Sequence, residues 1–171
     1  MQFDPDSPDP VEVREHIMHP KLLLEVDVTR NSLTELILDE NTMWSTFDKL
    51  QVFKAPFNQI EKVRIELNKL AKLVLSNNKL VALPELETMP SLEELDLARN
   101  LITEESWEEI DKISPKISFL DLSGNKLAWK AEDFLGSLQY LRACKRMKMF
   151  YIQDNPFIDN FRHRDTGELL D

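Results

Sequence analysis

Apolar residues recur along this chain in one sequence motif, in which leucine-type positions alternate with polar positions ahead of an asparagine. The segments KLVLSNNKL (residues 72–80) and ELDLARNLI (residues 94–102) are near copies of this motif. Alternation with period two predicts a short β-strand that buries every second side chain. A motif that is repeated at intervals predicts a stack of similar structural units. Such proteins usually bind their partners through an extended surface.

The template L-x-x-L-x-L-x-x-N-x-L fits the chain six times. The matches are Leu33, Leu36, Leu38, Asn41, Met43; Leu50, Phe53, Ala55, Asn58, Ile60; Leu70, Leu73, Leu75, Asn78, Leu80; Leu92, Leu95, Leu97, Asn100, Ile102; Ile117, Leu120, Leu122, Asn125, Leu127; and Met147, Phe150, Ile152, Asn155, Phe157. Successive asparagines lie 17, 20, 22, 25 and 30 residues apart. A rival frame, Leu23, Val26, Val28, Asn31 and Leu33, competes with the first unit. We expect each asparagine amide to satisfy backbone groups where the chain turns into the core.

These matches resemble the leucine-rich repeat family over residues 33–157. The resemblance implies an α/β solenoid with parallel strands on a curved, concave face and with helices and loops on the convex side. Residues 1–32 are expected to form an N-terminal cap, with a helix that starts at Asp9 and Pro10 and an edge strand over residues 22–28. About six repeats follow over residues 33–157, and residues 158–171 are expected to form an abbreviated C-terminal cap.

Two of the longer units have room for helices on the convex side. Thr103 is a candidate N-cap ahead of Trp107 and Ile110, which lie three residues apart. A second apolar stripe consists of Phe134, Leu138 and Leu141. Both stripes predict core packing.

The net charge of the chain bears on the class of ligand that it can bind. With 31 acidic and 21 basic residues the net charge is −10, which argues against nucleic acid as the main ligand. Charge is also uneven, because the segment from Glu85 to Asp111 carries ten acidic residues and one basic residue. One end is basic and keeps open the alternative of a nucleic-acid-associated module of RNA export or chromatin type; its residues are Arg142, Lys145, Arg146, Lys148, Arg162 and Arg164.

The cysteine count and the absence of long apolar runs predict the location. Cys144 is the only cysteine, so no intrachain disulfide can form, and the start MQFDPDSPDP is acidic rather than basic and apolar. We therefore expect an intracellular protein, cytoplasmic or nuclear. No apolar run approaches the roughly 18 residues needed to span a bilayer, so we expect no membrane partner.

Candidate chemistry is sparse. His16 and His19 lie three apart but lack further ligands at metal spacing, and surface positions in the cap explain them better. Cys144 sits on an apolar stripe, which favours a small buried hydrophobe over a nucleophile. Three glycines cannot build a phosphate-binding loop. We predict no catalytic residues, no cofactor, no metal and no small-molecule substrate.

The outward strand positions are the remaining candidate for function. The predicted central column is Ile37, Lys54, Val74, Asp96, Asp121 and Tyr151, and Phe119, Met149 and Tyr151 are expected to form one patch beside Asp121. Mixed aromatic, aliphatic and charged residues are typical of protein-binding surfaces, although such side chains also pack laterally in sheets. We therefore predict a non-enzymatic adaptor that binds another protein through Ile37, Lys54, Val74, Asp96, Phe119, Asp121, Met149 and Tyr151. Phosphatase regulators, dynein light chains and acidic nuclear proteins all remain open as subfamilies.

Overall fold

The computed structural model describes residues 22–39 and 47–161. Its eight strands are β1 (Glu25–Asp27), β2 (Glu35–Leu38), β3 (Val52–Lys54), β4 (Lys62–Ile65), β5 (Lys72–Val74), β6 (Glu94–Asp96), β7 (Phe119–Asp121) and β8 (Met149–Tyr151). One α-helix, α1, spans Ala131–Ser137, and 3-10 helices span Leu86–Thr88, Glu104–Lys112, Leu138–Ala143 and Pro156–Phe161. The predicted cap helix at Asp9, both cap histidines and most of the predicted C-terminal cap lie outside the described residues.

Parallel pairing joins the strands into two sheets. The larger sheet has six strands in the order β1-β3-β5-β6-β7-β8, and the smaller one pairs β2 with β4. Within each unit the middle strand residue points inward, so that Phe53, Leu73, Leu95 and Leu120 are buried in one core. The prediction of stacked parallel strands with period-two burial is confirmed.

The prediction for the first unit is wrong. Leu36 and Leu38 are buried as expected, but their strand is β2, which pairs with β4 and not with the six-stranded sheet. The strand that joins the large sheet is β1, where Val26 lies opposite Phe53, as the rival frame requires. Both frames alternate with period two, so periodicity could not decide between them. With β2, Ile37 also leaves the predicted column.

Each asparagine amide satisfies backbone groups at its turn, as predicted, and it also bonds the preceding unit, so that the asparagines form a ladder between units. Asn100 is 3% exposed, and its Nδ2 donates to the carbonyl oxygens of Leu97 and Leu75, each at 3.0 Å. Its Oδ1 accepts the Leu80 N–H of the preceding unit at 3.0 Å. The same three-way pattern repeats at Asn58, Asn78, Asn125 and Asn155. Asn41, which the first frame had assigned to this ladder, lies outside the described residues.

Left-handed backbone precedes Asn31 and each of the five ladder asparagines, and the sequence pattern had not indicated this. Among the described residues, six adopt φ between 55° and 66°: Arg30, Phe57, Asn77, Arg99, Gly124 and Asp154. Five of the six are not glycine, so each accepts a conformational cost of about 1 kcal/mol that its unit must offset. The backbone N–H groups of the first five donate to carbonyl oxygens of the next unit. The Arg99 N–H, for example, donates to the backbone carbonyl oxygen of Ser123 at 2.7 Å.

The predicted helical segments contribute side chains to the core, fully buried in the first stripe and half-buried in the second, Phe134, Leu138 and Leu141. Trp107 and Ile110 are buried as expected, and Trp107 Nε1 donates to the Ser137 oxygen at 2.9 Å. The segment that follows Thr103 is a 3-10 helix, and Thr103 makes no side-chain capping bond. Trp107 meets Trp129 edge-on at 4.7 Å. Within the described residues, no helix has the length and apolar character needed to cross a membrane.

Candidate protein-binding face

The outward side of the six-stranded sheet, here called the sheet face, presents two columns of side chains in strict register. The first column consists of Glu25, Val52, Lys72, Glu94, Phe119 and Met149. The second column consists of Asp27, Lys54, Val74, Asp96, Asp121 and Tyr151. Because each strand contributes only three residues, these positions are the whole outward surface of the strands themselves.

An apolar patch lies at the carboxyl-terminal end of both columns. The rings of Phe119 and Tyr151 lie 5.8 Å apart at 56°, so they pack across β7 and β8. Met149 is 43% exposed and Tyr151 is 39% exposed. We call Phe119, Met149 and Tyr151 the aromatic patch. Lateral packing explains the contact between the rings of Phe119 and Tyr151. It leaves the exposure of Met149 without a structural cause.

Charges on the sheet face are only partly neutralised. Lys72 pairs with Glu94 at 2.5 Å, and Lys54 pairs with Glu25. Among the described residues, no lysine or arginine lies within salt-bridge distance of Asp96 or Asp121. These two carboxylates face each other across β6 and β7, next to the aromatic patch.

Local hydrogen bonds orient both of these carboxylates. Asp121 Oδ1 accepts the backbone N–H and the hydroxyl of Ser123, at 2.8 and 2.6 Å. Asp96 Oδ1 accepts the Ala98 N–H at 3.0 Å. Burial raises the pKa of Asp96 and the nearby charge of Asp121 adds to the effect, although hydrogen bonds from Ala98 and Ser76 and the charge of Lys72 oppose it. An external cation at this point would favour the ionised form of Asp96.

A shallow depression joins the charged and aromatic parts of the face. Its lining residues are Lys72, Leu73, Val74, Glu94, Asp96 and Phe119. The lining combines the aliphatic residues Leu73 and Val74 with side chains of both charges. Such a depression can receive a side chain that has an apolar stem and a polar end.

The structure brings together seven of the eight residues predicted for the site. Lys54, Val74, Asp96, Asp121 and Tyr151 share the second column, and Phe119 and Met149 are neighbours in the first. Ile37 is the exception, because β2 belongs to the two-stranded sheet. Its place at the head of the column is taken by Asp27, which the prediction missed and which lies between Val26 and Val28 of the rival frame.

Other candidate groups lie apart from the face. Cys144 is buried, as predicted, and burial raises the pKa of its thiol. The basic positions Arg142, Lys145, Arg146 and Lys148 are exposed, whereas Arg162 and Arg164 lie outside the described residues. Among the described residues, no three histidine, cysteine, aspartate or glutamate side chains are placed to share a metal ion.

Comparison with known proteins agrees with this geometry. The leucine rich repeat family model matches residues 68–127. No curated protein sequence matches the chain. An internalin from Listeria monocytogenes is similar to 67% of this chain, with 22% identity and a TM-score of 0.51. A leucine-rich repeat protein from Leptospira interrogans is similar to 88% of it, with 18% identity and a TM-score of 0.53.

Both of these structures are longer than this chain, which covers 32% of the internalin and 41% of the Leptospira protein. At these identities the likeness concerns the fold alone. The matched residues 68–127 contain three of the asparagine units, and the same register continues into β1 at one end and β8 at the other. Residues 68–127 thus match the leucine rich repeat family, and the chain folds as an α/β solenoid of leucine-rich repeat type.

Proposed function

We propose that this chain is a protein-binding module that takes its partner on the sheet face, with the aromatic patch at the centre of the contact. Leucine-rich repeat domains generally mediate interactions between proteins. The observation that carries the proposal is the exposure of Met149 and Tyr151 beside two carboxylates that lack an ion pair in the described part of the chain. Apolar anchors bordered by polar groups are typical of binding hot spots.

The charges of the face define what the partner must offer. An apolar side chain of the partner would pack against Phe119 and Tyr151, and a lysine or arginine would lie opposite Asp96 and Asp121. Because a cation favours the ionised form of Asp96, binding should strengthen as the pH rises through the pKa of that carboxyl. The ion pairs already present on the face, such as Lys72 with Glu94, set the register of the partner.

The chain acts in this proposal by binding and not by catalysis, as an adaptor or as a subunit of a larger assembly. A location inside the cell is part of the proposal, since a single buried cysteine suits a reducing compartment.

Affinity capture from an extract of the source cells tests the proposal. The wild-type chain is compared with Phe119→Ala/Tyr151→Ala, and the captured proteins are identified by mass spectrometry. A matched control, Val81→Ala/Leu135→Ala, removes exposed apolar side chains that lie outside the sheet face. The proposal expects a protein that is captured by the wild type and the control but not by the face variant. Identical captures by all three would contradict it.

A further inference from the structure

A cleft at the amino-terminal edge of the last strands concentrates positive charge in an otherwise acidic chain. Its lining residues are Glu93, Lys116, Ser118, Lys145, Arg146, Met147 and Lys148, and we call it the basic cleft. Ser118 directly precedes β7 and Lys148 directly precedes β8, so the cleft borders the sheet face without belonging to it. Four cations and one carboxylate line the cleft, whereas the whole chain has a net charge of −10.

The four cations have no ion pair within the described part of the chain. Elsewhere in that part, Lys54, Arg64, Lys72 and Lys112 each lie within salt-bridge distance of a carboxylate, whereas other lysines such as Lys79 and Lys126 do not, so that the cleft differs by holding four cations together. In the basic cleft, the Lys116 ammonium lies only near a hydroxyl, at 3.4 Å from Ser91 Oγ. Like charges held side by side repel one another, and an anion placed between them would remove that repulsion.

The backbone that carries these cations is fixed by bonds between units. The Ser118 backbone N–H donates to the carbonyl oxygen of Glu93 at 2.8 Å, and the Lys148 backbone N–H donates to the carbonyl oxygen of Ser118 at 2.9 Å. The turn that carries Lys145 is closed by the Met147 N–H, which donates to the oxygen of the buried Cys144 at 3.0 Å. The positive charges therefore need little ordering of the main chain before they bind an anion, which favours affinity.

We propose that the basic cleft docks a short acidic segment of a protein partner, whose carboxylates lie opposite Lys145, Arg146 and Lys148. Acidic residues outnumber basic ones in the chain, 31 to 21, so a long polyanion that extended beyond the cleft would meet a surface of net negative charge. Exposed charges are screened beyond about 8 Å at physiological salt, so a short segment is repelled less. Met147 adds an apolar contact that suits a peptide. The proposal stands independently of the proposed function, because the cleft can hold such a segment whether or not the sheet face is occupied.

A fluorescent oligoglutamate peptide tests this proposal by anisotropy titration at an ionic strength of about 0.15 M, where exposed charges more than about 8 Å apart are largely screened. The cleft variant is Lys145→Glu/Lys148→Glu. The matched control is Lys79→Glu/Lys126→Glu, which makes the same change in net charge at two exposed lysines that each follow a ladder asparagine. All four side chains are exposed, and matching urea denaturation curves establish that the variants fold.

The cleft variant should bind the peptide about tenfold or more weakly, because two attractive ion pairs are lost and the introduced carboxylates repel the peptide. The control should stay within about threefold of wild type, since distant exposed charges are largely screened. Phe119→Ala/Tyr151→Ala should bind the peptide like wild type, which separates this site from the sheet face. Equal weakening in the cleft variant and the control would overturn the proposal, as would a wild-type chain that does not bind the peptide. Tighter binding of an oligonucleotide of equal charge, lost in the cleft variant, would assign the cleft to nucleic acid instead.

Discussion

Replacement of Asn100 by leucine should reveal how much each rung of the asparagine ladder contributes to stability. The side chain is buried between two units, where its amide makes three hydrogen bonds of 3.0 Å. Leucine has a similar size but neither donates nor accepts. The substitution therefore removes the polar contacts while it keeps the position filled.

The three short bonds that are lost do not have equal consequences, and a fourth, longer bond of 3.3 Å to the Ala98 carbonyl oxygen leaves that oxygen with the Asn77 N–H as its donor. The carbonyl oxygens of Leu75 and Leu97 each keep a second donor, from Asn78 and Asn125 respectively. The Leu80 N–H has no other partner among the described residues and becomes an orphan in a buried site. With about 1 kcal/mol for each bond and a further penalty for the buried orphan, we expect a loss of about 3 kcal/mol or more.

Asn31→Leu is the matched control, because Asn31 occupies the asparagine position of the rival frame in the first unit but is exposed. Its bonds to the Val28 and Thr29 oxygens, at 2.8 and 3.2 Å, can be replaced by water. Its loss should stay below about 1 kcal/mol, which is typical of surface positions. Urea denaturation followed by circular dichroism measures both variants, with an unchanged slope as the check that the transition is comparable. If the two variants differ by less than about 1 kcal/mol, the ladder does not stabilise the solenoid in this way.

Three further predictions concern single side chains. A carboxyl whose pKa is raised by burial binds its proton more tightly in the folded than in the unfolded protein, so its ionisation costs stability as the pH rises through the folded pKa. Asp96→Asn should therefore gain stability relative to wild type at neutral pH, and the gain should vanish well below the ordinary pKa of aspartate, as measured by urea midpoints at both pH values. Gly124→Ala should lower the free energy of unfolding by about 1 kcal/mol, because the φ of Gly124 is +66° and an added Cβ would lie 3.2 Å from Arg99 Cγ. Gly136→Ala, in an open part of α1, should raise the free energy of unfolding by about 0.5–1 kcal/mol. Thermal unfolding of the two variants should therefore show shifts of opposite sign. Burial raises the pKa of Cys144, so Ellman's reagent at mildly alkaline pH should label it much more slowly in the folded chain than in urea, and equal rates would contradict its burial.

The repeats were predictable because each unit carries its own signal. An inward leucine and a buried asparagine are determined by local period and by the need to satisfy turn amides, so the units from Leu50 to Phe157 follow from sequence. The first unit was different. Leu36 and Val26 both belong to short alternating segments, and the choice between them depends on which strand pairs with Phe53. Pairing partners are not encoded in the period of one segment.

The candidate site was predictable to the same extent. Outward positions follow from period two, so Asp121 and Tyr151 were placed together correctly. What the pattern could not give is the charge balance, because ion pairs such as Lys72 with Glu94 depend on register between units that are 22 residues apart. The basic cleft also depends on units that meet only in the fold, since Lys116 and Lys145 are distant in sequence.

Titration calorimetry of the captured partner, once purified, against the wild-type chain tests the central claim most directly. The claim is that the sheet face holds the partner through its aromatic patch. Removal of two hot-spot aromatic rings costs about 1–2 kcal/mol each, so Phe119→Ala/Tyr151→Ala should raise the Kd about thirtyfold or more. Val81→Ala/Leu135→Ala should leave it within about threefold of wild type, as is usual for residues outside an interface. An unchanged Kd for a folded Phe119→Ala/Tyr151→Ala variant would contradict the account and move the interface away from the sheet face.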